Sequence, residues 1–135
     1  MSKKNVKTIV KSDNAPAPIG PYSQAIRVSS AVHTLYVSGQ IAINPHTGNL
    51  VSDTLEIETH QVMANIEAIL NEAGAKFDDV AKCSIFLSDM NNFAAVNEIY
   101  SQYFDGQTPP ARECIEVAKL PKEMNVEISV VAVYG

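Results

Sequence analysis

Several residue types are scarce in this chain of 135 residues, and each scarcity excludes a class of protein. There is no tryptophan, and the only cysteines, Cys83 and Cys114, do not form a disulfide framework. No apolar run approaches the roughly 20 residues that a membrane-spanning helix needs. Ten basic residues face fifteen acidic ones, and the formal net charge of −5 argues against a nucleic-acid-binding module.

The size and the amino terminus of the chain predict its class and location. The first residues are basic but lack the apolar stretch of about 7–15 residues that marks a signal peptide. A chain of this length matches the usual domain size and can bury a core without disulfides or metals. We therefore expect a cytoplasmic protein with a single domain over residues 1–135 and no contact with membranes.

Hydrophobic periodicity predicts six strands and two helices in the order β-β-β-α-β-α-β-β. The predicted strands cover residues 7–11, 22–28, 35–43, 80–87, 111–117 and 126–134. The first helix should begin at Asp53 or Thr54 and stop at Gly74, and the second should run from about Asn92 to Phe104. Each helix has one apolar stripe, so each is expected to pack against the rest of the fold with one side only. This pattern predicts an α+β fold, with both helices on one face of a mixed six-stranded sheet.

The last predicted strand is apolar on both of its faces. Val126 and Ile128 lie on one face, while Val131 and Val133 lie on the other. A sheet covered by one helical layer should have a polar outer face. We therefore expect the second face to be buried by other subunits.

Side chains typical of covalent, metal or nucleotide chemistry do not cluster in the sequence. His33, His46 and His60 stand apart, without a metal-ligand partner at a suitable spacing, and we expect them at the surface. No glycine-rich phosphate loop and no nucleophile elbow is present. Cys114 has no adjacent histidine, so we expect it to be a small buried strand residue rather than a nucleophile.

Arg112 is one of only two arginines and lies inside a predicted strand, on the same face as Cys114. A guanidinium there needs a partner, because an unpaired buried charge is costly. One interpretation is an ion pair within the sheet, with Glu116 or with Glu127 as the partner. The other is that the planar fork of Arg112 binds the carboxylate of a substrate, which arginine does through two hydrogen bonds.

Three further residues have both a structural and a functional interpretation. Glu127, an acidic group in an apolar run, is either a solvated edge residue or a group that orients an attacking water. Tyr22 follows a Gly-Pro turn and is either a packing aromatic or a hydroxyl that points into a cleft. Asn97 lies on the apolar stripe of the second helix, where its amide must find hydrogen bonds.

Seven short motifs follow one another along nearly the whole chain. They are NAP at residues 14–16, IGPYSQA at 19–25, VSGQI at 37–41, NPHTG at 44–48, FAAVN at 93–97, PPAR at 109–112 and VEI at 126–128. Each motif alone is modest, but their order and spacing are specific. Together they resemble the RidA/YjgF family, whose archetypes are deaminases of reactive enamine and imine intermediates.

This resemblance implies a RidA fold, similar to that of chorismate mutase, assembled as a homotrimer with a site at each subunit interface. It implies that Arg112 binds the substrate carboxylate with the help of the backbone N–H of Cys114, and that Glu127 positions the water. Other matching positions line the family's site: Tyr22 (a third catalytic candidate), Ser38, Gly39 and Asn97. Glu113 stands where the archetypal bacterial members of the family have serine, but period 2 points it away from Arg112.

The implied reaction is the hydrolysis of 2-iminobutanoate or 2-iminopropanoate to a 2-oxo acid and ammonia. Dehydratases of serine and threonine that use pyridoxal phosphate would supply these imines, and the resemblance implies neither a metal nor a cofactor. One alternative is a regulator that binds 2-oxo acids or amino-acid-like ligands without catalysis. Another is an endoribonuclease or translation inhibitor, against which the acidic net charge argues.

Overall fold

The computed structural model describes residues 6–135; residues 1–5, part of the basic amino terminus, lie outside the described range. The predicted element order is confirmed. The strands are β1 (Lys7–Val10), β2 (Ala25–Val28), β3 (His33–Gln40), β4 (Val80–Leu87), β5 (Ala111–Glu116) and β6 (Val126–Tyr134). The helices are α1 (Leu55–Glu72) and α2 (Phe93–Gln102). None of the helices described is long and apolar enough to cross a membrane.

The strands divide into a sheet of four and a sheet of two. The larger sheet has the order β3-β6-β4-β5, in which β4 and β5 are parallel and the other pairs are antiparallel. The α+β class, the mixed sheet and the two helices are thus confirmed. The prediction of one six-stranded sheet is wrong, because β1 and β2 form a separate antiparallel pair in which all four residues of each strand are bonded to the other and not to the larger sheet. The side chain of Lys7 attaches this pair to the larger sheet by donating to the carbonyl oxygen of Val80 across 2.8 Å.

Helix α1 is capped by Thr54, one of the two predicted caps. The Thr54 hydroxyl accepts a hydrogen bond from the backbone N–H of Ile57 across 3.1 Å. Glu56 and Glu58 occupy the first turn, where the helix dipole favours negative charge. The helix is followed by Gly74, whose φ of 79° lies in the left-handed region that glycine adopts readily.

The hydrophobic core lies between α1, α2 and one face of the larger sheet. Every second residue of β6 is buried against the helices: Val126, Ile128, Val130 and Ala132. The facing residues of α1 are also buried: Val62, Met63, Ile66 and Leu70. Because burying one such large aliphatic side chain contributes about 1.5–3 kcal/mol, this layer dominates the stability of the domain.

The opposite face of the larger sheet, called the open face below, carries large apolar side chains. Tyr36 is 78% exposed and Ile115 is 45% exposed, and Val131 is half-buried beside them. These residues support the predicted apolar second face. Val133 is different, since it is only 4% exposed within the chain itself. It lies in a groove with Val6 at the start of the β1–β2 pair, so the chain already covers this end of the face.

A β-bulge interrupts β3. Val37 is paired with Val130 and Gln40 with Ile128, so two residues of β3 lie opposite one residue of β6. The predicted alternation over residues 35–43 is therefore wrong beyond residue 37, because the extra residue exchanges the two faces. Ala42 is fully buried in consequence, whereas the prediction placed it on the face opposite the apolar residues.

Candidate functional site

Arg112 lies in a half-buried pocket of aromatic rings, called the arginine pocket below. The carbon atom at the centre of its guanidinium group is 5.2 Å from the ring centre of Tyr22, 5.2 Å from that of Tyr100 and 5.8 Å from that of Phe93. Its Nη1 donates a hydrogen bond to Oδ1 of Asn97 across 2.6 Å. Cation–π contact and an amide acceptor thus hold the guanidinium group in one orientation.

Strand β5 and helix α2 form two walls of this pocket. Arg112 is paired with the buried Cys83 of β4, so its side chain lies on the face that the helices cover. Phe93, Asn97 and Tyr100 recur at intervals of four and three along α2 and therefore share one side of the helix. The polar amide on the apolar stripe of α2 is thereby explained, because its acceptor is used by Arg112.

The segment before β2 forms the third wall. The backbone N–H of Ser23 donates to the carbonyl oxygen of Pro110 across 3.0 Å, which attaches this segment to the residue before β5. Tyr22 consequently lies over Arg112, and its hydroxyl accepts a hydrogen bond from the backbone N–H of Ile19 across 3.3 Å. The ring packs as one interpretation predicted, while the O–H of Tyr22 remains available as a donor.

Neither of the ion pairs considered for Arg112 is formed. The carboxylate of Glu116 instead accepts a hydrogen bond from a backbone N–H three residues beyond the end of β4, across 2.8 Å. Glu127 is paired with residue 86 and so lies on the open face, with β4 between it and β5. Among residues 6–135, the only pair of a basic and an acidic side chain within 4.0 Å is Lys82 with Glu113. The charge of Arg112 therefore has no carboxylate partner among the residues described.

The titratable groups beside Arg112 do not neutralise it either. Burial raises the pKa of the Cys83 thiol to about 12. Burial also raises the pKa of the Tyr100 hydroxyl and that of the Cys114 thiol, although the charge of Arg112 opposes both shifts. All three groups are thus uncharged at neutral pH. Cys114, which the sequence places in the interior, is only half-buried.

The backbone N–H of Cys114 points to the free edge of β5. Backbone groups alternate sides along a strand, and the N–H of Val117 donates to Leu87 beyond the end of β4, across 2.8 Å. Cys114 is three residues earlier, so its N–H points away from β4. The arginine pocket lies at the same edge, and the predicted donor is therefore available beside Arg112.

A second group of candidate residues lies at the β3 bulge and is called the glutamate site below. Ser38 and Gly39 form the bulge, and the carboxylate of Glu127 lies directly against Gly39. A β-carbon built on Gly39 would be 2.8 Å from Cδ of Glu127 and closer still to one carboxylate oxygen. Only glycine leaves room for this carboxylate, which is half-buried while Ser38 is exposed.

The predicted site residues thus form two groups within one chain. Tyr22, Asn97, Arg112 and Cys114 meet on the face covered by the helices, at the edge of the sheet. Ser38, Gly39 and Glu127 meet on the open face. Because the sheet separates the two groups, one small molecule cannot contact both within a single chain.

Several residues of these two groups were not predicted as site residues. Phe93 and Tyr100 were assigned to the stripe of α2 only, although an amide flanked by aromatics at helical spacing is a signal for such a pocket. Gly20 is also part of the pocket, since a β-carbon there would be 3.3 Å from Nη2 of Arg112. No sequence pattern indicates this contact, because it joins segments more than 90 residues apart.

The histidines lie outside both groups. His33 and His46 are exposed as predicted, whereas His60 is half-buried between the helices, with its Nδ1 2.6 Å from the hydroxyl of Tyr103. In the part of the chain that the structure describes, no three His, Cys, Asp or Glu side chains form a group that could hold a metal ion.

Comparisons with known proteins cover nearly the whole chain. Residues 12–134 match the family model Ribonuc_L-PSP, described as endoribonuclease L-PSP. A mouse protein named 2-iminobutanoate/2-iminopropanoate deaminase is 43% identical over 130 residues, which are 96% of this chain and 93% of the mouse protein.

Solved structures show the same similarity. A protein of unknown function of the conserved Rid family from Yersinia pestis is 48% identical, with a TM-score of 0.74 over 94% of this chain and 98% of that one. The structure of TdcF from E. coli with bound serine is 36% identical, with a TM-score of 0.72 over 95% of this chain and 99% of TdcF. The motifs, the fold and these matches agree, and the chain belongs to the RidA/YjgF family.

Proposed function

We propose that this protein is a 2-iminobutanoate/2-iminopropanoate deaminase, a hydrolase that converts reactive 2-imino acids to 2-oxo acids and ammonia. The arginine pocket is the observation that carries this proposal. It holds an oriented guanidinium group with no carboxylate partner among the residues described, and it has an outward-pointing N–H at its edge. This combination suits a small ligand that carries a carboxylate.

The names of two relatives support 2-imino acids as the substrate class. The mouse relative is named for both imines. TdcF was solved with serine, which has an α-carboxylate next to a carbon that bears nitrogen. A 2-imino acid has the same arrangement, with a C=N bond in place of the amine. In the proposed complex, Arg112 and the N–H of Cys114 bind the carboxylate and thereby fix the position of the imine carbon.

The chemistry then needs one water and one base. A protonated imine is already electrophilic, so the protein has to hold a water about 3 Å from the imine carbon and accept its proton. In our proposal Glu127 accepts that proton as the C–O bond forms. It returns this proton to the nitrogen of the carbinolamine. As the C–N bond breaks and ammonia leaves, Glu127 accepts the remaining hydroxyl proton, so that the C=O bond of the 2-oxo acid forms, and this proton then passes to the released ammonia. Tyr22 has a free O–H at the pocket and serves as a further donor to the substrate.

The two groups of residues require more than one copy of the chain. We infer that the arginine pocket of one subunit faces the glutamate site of its neighbour, because the two groups lie on opposite faces of the sheet. The apolar open face supports such an assembly. The family resemblance indicates a homotrimer, with dehydratases that use pyridoxal phosphate as the source of the imines.

A coupled assay tests this proposal. A serine or threonine dehydratase generates the imine while semicarbazide competes to trap it, with or without the protein. We expect faster release of the 2-oxo acid and less trapped product. Glu127→Gln should slow this release by about a hundredfold or more. Glu67→Gln, which changes an exposed carboxylate on α1, is the matched control.

Other outcomes would assign a different function. Binding of a 2-oxo acid that depends on Arg112, without turnover of imines at high protein concentration, would identify a ligand-binding regulator. Cleavage of RNA that survives Arg112→Ala would instead favour the activity for which the family model is named.

A further inference from the structure

Glu58 is a carboxylate with no exposed surface, and it lies in the first turn of α1. Its Oε2 accepts hydrogen bonds from two consecutive backbone N–H groups, those of Asn125 at 2.7 Å and Val126 at 3.1 Å. Its Oε1 accepts from Nδ2 of Asn125 at 2.8 Å. Three donors from one short segment thus converge on a single buried carboxylate.

No basic side chain balances this charge. None of the lysines, arginines or histidines of residues 6–135 lies within 4.0 Å of the carboxylate of Glu58. The compensation comes from the three N–H dipoles and from the amino-terminal end of α1. A buried carboxylate is costly unless its hydrogen bonds are made, so this arrangement is sensitive to the position of residues 125 and 126.

The segment that Glu58 holds leads directly into β6. One residue further back along the chain, Lys122 and Glu123 both have positive φ values, 58° and 54°, which non-glycine residues adopt at a cost. The same segment is also bonded to the residue that follows β4: the carbonyl oxygen of Asn125 accepts a hydrogen bond from the backbone N–H of Ser88 across 3.1 Å. The hydrogen bonds of Glu58 therefore hold the start of β6 in place next to a strained turn.

Glu127 is the residue that follows this restrained pair. Its carboxylate lies against Gly39 with no room for a β-carbon, so a small displacement of the β6 backbone would move it out of this contact. We propose that Glu58 is a positioning residue for Glu127: through the N–H groups of residues 125 and 126, it sets where the carboxylate of Glu127 lies. This inference rests on the proposed deaminase function, in which Glu127 accepts the proton of water.

The kinetic test compares Glu58→Ala with Glu58→Gln. Alanine removes all three hydrogen bonds. The side-chain oxygen of the introduced glutamine can still accept from both backbone N–H groups, and Asn125 can rotate its amide to accept from the new NH₂ group. We expect Glu58→Ala to lower kcat at least about tenfold with KM changed less than about twofold, because the carboxylate-binding pocket is intact. Glu58→Gln should restore most of kcat.

Two controls separate positioning from general destabilisation. Met63→Ala removes a buried side chain of the same helix that does not bond the start of β6, and it should leave kcat unchanged. In a Glu127→Gln background, Glu58→Ala should cause no further loss of kcat, since the group that it positions is already gone. Equal losses of kcat in Met63→Ala and Glu58→Ala, or additive losses in the double variant, would overturn the inference.

Amide hydrogen exchange gives a reading that does not depend on turnover. Glu58→Ala should speed exchange at Asn125 and Val126 by at least about tenfold relative to the rest of β6, whereas Met63→Ala should not. If Glu58→Ala fails to fold, Asn125→Ala replaces it, and it should lower kcat in the same direction by removing one of the three donors. Wild-type protein without deaminase activity would refute the proposed function, and unchanged exchange would refute the restraint by Glu58.

Discussion

The side-chain oxygen of Asn97 accepts a hydrogen bond from Arg112 across 2.6 Å, so an amide rather than a carboxylate is the partner of this guanidinium group. The distinction matters because an amide orients a cation without neutralising it. A carboxylate partner would compete with the ligand, and the ligand would first have to displace it. The arginine pocket is therefore prepared for an anion.

The first prediction concerns Arg112. Arg112→Ala should lower kcat/KM for a 2-imino acid by roughly a hundredfold or more, because two charge-assisted hydrogen bonds to the substrate are lost. Arg112→Lys keeps the charge but not the planar fork and should recover only part of this loss. The coupled assay measures both variants, with Arg27→Ala, the other arginine, as the control.

The same variants distinguish the two interpretations of Arg112. Since no acidic side chain among those described loses a partner in Arg112→Ala, thermal unfolding should show this variant to be folded and assembled. A variant that unfolds or dissociates would indicate that Arg112 mainly stabilises the fold.

The second prediction concerns Gly39. Gly39→Ala should displace the carboxylate of Glu127, because the added methyl group would occupy its position. We expect kcat to fall at least about tenfold, while the midpoint of thermal unfolding changes little at this exposed position. Retention of full activity by Gly39→Ala would show that the observed position of the carboxylate is unimportant for turnover.

The third prediction concerns assembly. Val131→Asp places a charge on the open face beside Tyr36 and should dissociate the proposed oligomer, which sedimentation velocity would detect as a smaller species. Activity should disappear with it, because the two groups of site residues would no longer meet. Ile57→Asp, which places the same charge on an exposed apolar residue of α1 away from the open face, is the control. An active monomer would contradict the intersubunit site.

Val133 is unsuitable for this test, although the sequence places it on the same face as Val131. It is buried within the chain, so a charge there would destabilise the subunit itself.

The fourth prediction concerns Cys114. Burial raises its thiol pKa, so at a given pH less of the reactive thiolate is present than in an unperturbed cysteine. Alkylation by iodoacetamide at pH 8 should therefore be slower than that of a cysteine in a short peptide, and it should accelerate as the pH rises. Cys114→Ser should retain activity, because the proposed contact uses the backbone N–H; a large loss of kcat would implicate the thiol.

The sequence by itself determined the elements whose signals are local. Strands β4 and β6 have the predicted bounds, because each is a largely apolar segment flanked at both ends by polar or turn-forming residues. The start of α1 at Thr54 and its stop before Gly74 follow from side-chain capping and from the backbone freedom of glycine. The order of motifs likewise predicted the family.

Only the tertiary structure decided which neighbours the site residues have. The bulge at Ser38 and Gly39 depends on the register between β3 and β6, and alternation within one strand carries no information about its partner. Arg112 and Glu127 lie on opposite faces because their partner residues on β4 are three positions apart, an odd offset that depends on the register between strands and that no local pattern specifies. The hydrogen bonds of Glu58 span 67 and 68 residues, so long-range packing alone brings them together.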